Sequence, residues 1–138
     1  HQTGPRDQAS VQAAYAAVNV VADVQPFIDD MAAALAWADL VVCRSGALTV
    51  AELAAAGAAS VLIPFPHAVD DHQRVNAEFL VNGQAGHCVI QKALTTEQLI
   101  ALLQQSRAEL QAQAIAARAL ARAEAAETVA DICKELAA

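Results

Sequence analysis

Aromatic side chains are scarce in this chain, at 4% of 138 residues, and basic ones are outnumbered: eight Lys and Arg against fifteen Asp and Glu, a net charge of −7. An acidic chain with few rings to stack on bases is a poor partner for a nucleic-acid backbone. A phosphorylated small molecule stays open, because helix-end amides bind phosphate without net positive charge. Long apolar runs are missing too. Hydrophobic residues reach 57%, but much of that is alanine, and Asp, Glu, Gln or Arg interrupts every stretch. None approaches the roughly 20 residues needed to cross a bilayer. The opening His1-Gln2-Thr3-Gly4-Pro5-Arg6-Asp7 has no basic-then-apolar signal-peptide pattern. Cysteine is limited to Cys43, Cys88 and Cys133, an odd number with no metal-ligand spacing. Cys43 and Cys88 each adjoin a Val in a strand-like run, so they read as small buried hydrophobes in a reducing compartment. Gly-x-Ser-x-Gly, a Walker loop, Cys-x-x-Cys and acid pairs at hydrolase spacing are all absent. No nucleophile has a base beside it.

What is present is an order of elements. Residues 7–17 read as a helix and 18–24 as a short β-branched strand. Pro26 interrupts, and Asp29-Asp30 precedes a helix over 31–38, where acids complement the positive helix end. Residues 39–43 form a continuous apolar strand. A helix over 47–56 follows, closed by Gly57. The pattern repeats as a strand over 60–64, a polar loop over 65–71, a helix over 72–80 ended by Asn82-Gly83, and a strand over 86–90. Thr95-Thr96 caps a helix with Glu97 and Gln98 in its first turn. Everything beyond reads as helical, with Thr128 marking a break before a last helix over 129–136. Continuously apolar strands alternating with helices predict an α/β fold: a Rossmann-like parallel sheet with helices on both faces. The expected organisation is one domain over 1–138, with C-terminal helices from about 95. His1-Gln2-Thr3-Gly4 reads as the end of a strand, so the chain enters its fold partway.

Ligands of an open parallel sheet bind beyond the carboxyl ends of its strands. Three loops should lie there. The first covers 25–30. In the second, Ser45-Gly46 leads into a helix whose first amides, on Ala47, Leu48 and Thr49, suit a diphosphate. Glu52, three residues after Thr49 on the same face, suits a pair of vicinal hydroxyls, as on a ribose. An ordinary polar helix start explains the same residues. The third loop gathers His67, Asp70, Asp71, His72, Gln73 and Asn76. Amides and imidazoles offer donors and acceptors to neutral sugar hydroxyls. Two His and two Asp could instead hold a metal, but neutral Gln and Asn interleave with them and no second ligand cluster exists. A solvated loop and helix cap is the plain alternative. His87 reads as structural, and Trp37 as a core anchor.

Three runs carry a resemblance: Phe27-Ile-Asp-Asp-Met31, the stretch 38–52 centred on Cys43-Arg-Ser-Gly-Ala-Leu-Thr49, and the stretch 64–77 with Asp70-Asp-His-Gln73. In that order they are similar to the MurG family of bacterial cell-wall glycosyltransferases, over nearly the whole chain. The resemblance implies a GT-B fold and the later part of its C-terminal, UDP-N-acetylglucosamine-binding domain. It implies that Ile28 meets uracil through its backbone, that Met31 lies near the base, and that Ser45, Ala47, Leu48 and Thr49 serve diphosphate and sugar. It gives Glu52 the ribose hydroxyls, and Gln73, with His72 and Asn76, the sugar hydroxyls. At His72 some members have Gln.

The implied activity is hexosyl transfer, inverting and metal-independent, that converts lipid I to lipid II in peptidoglycan synthesis, with no cofactor. Lipid I would be met only by an N-terminal domain that this chain lacks. The first strand and glycine-rich loop of the donor domain are also missing from the pattern, no residue is assigned as general base, and the isolated piece is expected to be inactive. The family acts in the cytoplasm, on the inner face of the membrane. Two other classes stand beside this one: a non-catalytic UDP-binding module, and a structural unit that self-associates through an exposed sheet edge.

Overall fold

The computed structural model of the chain describes residues 1–68 and 71–137. These form two compact units, His1–Ala34 and Leu35–Ala138. Helix α1 covers Gln8–Ala17, and α2 covers Met31–Trp37. There follow β1 (Val41–Cys43), α3 (Ala47–Ala56), β2 (Ser60–Leu62), α4 (His72–Asn82) and β3 (Gly86–Cys88). A 3-10 turn at Gln91–Ala93 leads to α5 (Thr96–Leu103), α6 (Arg107–Ala119) and α7 (Ala125–Leu136).

In the first unit, the β-branched run over 18–24 forms no strand. A β-branched pattern needs a hydrogen-bonding partner before it becomes one. The partner here is the segment from His1 to Gly4, and it engages further along: Gln2 bridges Gln25 in parallel, Gln25 N donates to His1 O, and Thr3 N donates to Gln25 O. Asn19 turns the chain at a positive φ of 55°, and Val21 is fully exposed.

The second unit is built on a parallel sheet in the order β1-β2-β3, with helices around it, as the apolar strands predict. Strand β2 is the middle one and is buried at every residue. Helix α3 joins β1 to β2, and α4 joins β2 to β3. Val50, Leu53 and Ala54 of α3, Ala77 and Leu80 of α4, and Ala117 of α6 pack with Leu62 in one core. Gly57 ends α3 at φ 69°, a left-handed angle that glycine adopts without steric cost.

The strands are shorter than their apolar runs. Ladder hydrogen bonds end with Ile63 N to Cys43 O and Val89 N to Leu62 O. Pro64 has no N–H to continue, and the carbonyls of Ile63 and Pro64 are taken by Arg44. Helices α5 and α6 each begin with a full capping box, Thr95 with Gln98 and Ser106 with Glu109. Two further expectations need correction. Trp37 is 87% exposed: Leu35 packs onto the core instead, and a residue two positions later on a helix points elsewhere. Thr128 lies inside α7, its hydroxyl donating back to Glu124 O, and the break falls over 120–124. No helix among the described residues is long and apolar enough to cross a membrane.

At Gly86, an added Cβ would collide with the backbone carbonyl and hydroxyl of Ser60, which belong to the central strand and cannot swing aside. Gly86→Ala should therefore lower unfolding stability by about 2–3 kcal/mol in urea titration. An unchanged midpoint would mean that β2 and β3 can separate freely.

Candidate functional site

All three strands of the second unit run the same way, so the segments that follow them leave from one edge of the sheet. After β1 come Arg44, Ser45 and Gly46, then α3. Gly46 is the N-cap residue and provides no side-chain cap. The first helical bond runs from Val50 N to Gly46 O, which leaves the amides of Ala47, Leu48 and Thr49 outside the helical ladder. Ala47 and Leu48 are exposed, Thr49 is half-buried, and Glu52 is exposed one turn further along.

The glycine here has an unexpected basis. A tight turn predicts a left-handed angle, yet φ is −62°, which any residue adopts. A Cβ at Gly46 would meet only Thr49 Oγ1, at an ordinary 3.6 Å. Among the described residues, nothing requires glycine at this position.

Ser45 is completely buried. Its hydroxyl donates to Gln73 O at 2.7 Å, and its carbonyl accepts from Asn76 Nδ2 at 3.1 Å. Gln73 and Asn76, on one face of α4 as the i, i+3 spacing predicts, are thus joined to the loop that opens α3. The Gln73 side chain is oriented as well: its Oε1 accepts from Phe65 N at 2.9 Å, which leaves Nε2 as its outward donor. His72 is exposed at the start of α4. His67 is exposed and meets the Phe65 ring edge-on, 5.6 Å between centroids. Asp71 pairs with Arg74 on the surface. Asp70 lies outside the described residues. No group of three or more His, Cys, Asp or Glu positioned to hold a metal occurs among the described residues.

Sequence reasoning passed over Arg44. Its Nη1 donates to Ile63 O and Pro64 O, each at 3.1 Å, and its Nη2 donates to Gln91 Oε1 at 2.8 Å. The guanidinium also sits 5.6 Å from the centre of the Phe65 ring. One side chain thereby ties together the segments leaving all three strands. The signal was a lone cation directly after an apolar strand in an acidic chain: such a group is placed to reach the carbonyls at neighbouring strand ends.

The remaining expected residues belong to the first unit. Ile28 N donates to Gln2 Oε1 at 2.9 Å. Met31 opens α2 and is half-buried, and Asp30 caps that helix by accepting from Ala33 N at 2.8 Å. His87 is held structurally, as expected: its Nε2 lies 3.0 Å from Gln105 Oε1 and 3.2 Å from Gln113 Nε2.

Cys43 and Cys88 are half-buried against the core rather than fully enclosed. Burial pushes the Cys43 thiol up from 9.0 to about 11. A thiol raised in the folded state favours folding fully below pH 9 and loses that contribution as pH rises through about 11. Iodoacetamide at pH 8 should label the exposed Cys133 first and Cys43 much more slowly. Equal labelling rates in peptide mass spectra would contradict this burial.

Residues 1–136 match the family described as the glycosyltransferase family 28 C-terminal domain. The chain is 54% identical over 139 residues to the UDP-N-acetylglucosamine--N-acetylmuramyl-(pentapeptide) pyrophosphoryl-undecaprenol N-acetylglucosamine transferase of Aromatoleum aromaticum, covering 100% of this chain and 39% of that protein. It is 54% identical over 138 residues to the transferase of the same name from Cupriavidus metallidurans, again spanning 39% of it. Among solved structures, it is similar to Acinetobacter baumannii MurG with a TM-score of 0.91 and 41% identity, over 98% of this chain and 42% of that one. The chain thus spans about two fifths of the length of these relatives.

Proposed function

The chain belongs to the glycosyltransferase family 28 C-terminal domain family, and from that premise we propose that it serves in donor binding and holds UDP-N-acetylglucosamine. The observation that carries this reading is the start of α3. Three amides outside the helical ladder sit at the carboxyl edge of a parallel sheet, behind a glycine that no described residue requires. A ligand pressed against Gly46 would explain the missing side chain, and a diphosphate suits the amides of Ala47, Leu48 and Thr49.

In this reading Glu52 accepts hydrogen bonds from the ribose hydroxyls. Gln73 Nε2, held outward by the Phe65 bond, donates to the sugar, with His72 beside it and Ser45 and Asn76 completing the wall. The reaction is the one named for the relatives. A hydroxyl of the N-acetylmuramyl acceptor attacks the anomeric carbon, the bond from that carbon to the diphosphate breaks, and UDP leaves with the electron pair. The proton passes to a general base, a role to which no residue of this chain is assigned. Amides at the α3 start stabilise the charge gathering on the departing diphosphate. Such a domain works in the cytoplasm, where UDP-sugars are available and thiols such as Cys133 stay reduced.

Calorimetric titration tests the reading. UDP-N-acetylglucosamine should bind more tightly than UDP, and Glu52→Ala should weaken both by roughly tenfold or more, the loss of hydrogen bonds to a charged group. Equal affinity for the two nucleotides would reduce the chain to a UDP-binding module. No binding by a folded chain would leave only a structural unit.

A further inference from the structure

Gln91 stands outside every loop expected to meet a ligand. It opens the 3-10 turn that follows β3, and that turn is closed on itself by Ala93 N and Leu94 N, which both donate to Ile90 O. The side-chain oxygen of Gln91 accepts from Arg44 Nη2 at 2.8 Å. Arg44 directly follows β1, so its long side chain is pinned at both ends: by its backbone beside the buried Ser45, and by Gln91 beyond β3. Between those ends lies the segment that leaves β2. Arg44 Nη1 takes the carbonyls of Ile63 and Pro64, each at 3.1 Å, and the guanidinium lies 5.6 Å from the centre of the Phe65 ring. A guanidinium can serve several partners at once because its donors fan out in one rigid plane. Phe65 N in turn donates to Gln73 Oε1 at 2.9 Å.

We infer that Gln91 is a positioning residue: it pins the far end of Arg44 as a strap over residues 63–65 and so fixes, through Phe65 N, where the Gln73 amide points. The consequence for ligand binding rests on the donor-binding reading above. The bonds to Ile63 O and Pro64 O cannot hold the strap by themselves, because both lie on the segment being held and would move with it. Gln91 is rooted beyond a different strand. Without its oxygen, Arg44 regains the rotamer freedom of a long exposed side chain, and the segment under it loosens. A polar group that meets a sugar is accurate only while its supporting shell is held. The α3 amides are set by their own helix, so the nucleotide's share of the affinity is spared.

The test compares the wild-type chain with Gln91→Met, which keeps the length of the side chain without its acceptor, and Gln91→Glu, which keeps an acceptor oxygen. Two readouts are taken: hydrogen exchange at the Phe65 amide by NMR, and calorimetric titration with UDP and with UDP-N-acetylglucosamine. Gln91→Met should speed exchange at Phe65 and lower affinity for the sugar nucleotide by about threefold, the worth of one hydrogen bond at the surface, while UDP affinity holds. Gln91→Glu should match the wild type in both readouts. Unchanged Phe65 exchange in Gln91→Met would overturn the inference, because the strap would then hold without Gln91. Loss in Gln91→Glu equal to that in Gln91→Met would also overturn it, since the accepting oxygen would not matter. Equal losses for UDP and the sugar nucleotide would overturn it too, showing general loosening. Failure of the wild-type chain to prefer the sugar nucleotide would instead sink the donor-binding reading, and the Phe65 exchange rates would still decide whether Gln91 holds the strap.

Discussion

Strand β2 is the constraint on which the second unit depends. It is hydrogen-bonded to a parallel neighbour on each side and buried at all three residues, Ser60, Val61 and Leu62. Parallel pairing with both neighbours forces α3 and α4 to be crossovers, and it sends the segments after all three strands out at one edge. Gly86 lets β3 come close against Ser60. Leu62 anchors the core into which α3, α4 and α6 pack.

From that edge the candidate site follows with few additional parts. Two sets of polar bonds hold the emerging segments together. Arg44 reaches the carbonyls after β2 and Gln91 beyond β3, while Ser45 reaches α4. They are adjacent in sequence and act in different directions: the long side chain bridges across the sheet edge, and the short buried one locks a helix. A buried hydroxyl without a partner would be costly, so the Ser45 bond to Gln73 also satisfies a polar group that the fold has removed from water. In the donor-binding reading that rigidity has a use, because amides preorganised toward a charged ligand need not rearrange when it arrives.

Much of this was legible in the sequence. The helix over 47–56 with its glycine cap, the alternation of apolar strands with helices, and the shared face of Gln73 and Asn76 follow from local patterns that the packing reinforces. Failures came where a local pattern was decided by something distant. The β-branched residues over 18–24 form no strand ladder, because the pairing segment bridges at Gln25. Trp37 carries the largest apolar side chain in its helix, but Leu35 points at the core. Gly46 stands where strand turns into helix, yet its backbone angle is one that any residue adopts. Arg44 was passed over because its partners are carbonyls of residues 19 and 20 positions away, which no spacing rule reveals.

The central claim is that the α3 start is an anion site on a frame held rigid by β2. It is tested most directly by following backbone amide resonances of the isotopically labelled chain as UDP is added. The amide protons of Ala47, Leu48 and Thr49 should move furthest, and downfield, as they begin to donate to phosphate oxygens, with Glu52 following. Unmoved signals at these three residues, with shifts centred anywhere else in the chain, would contradict it.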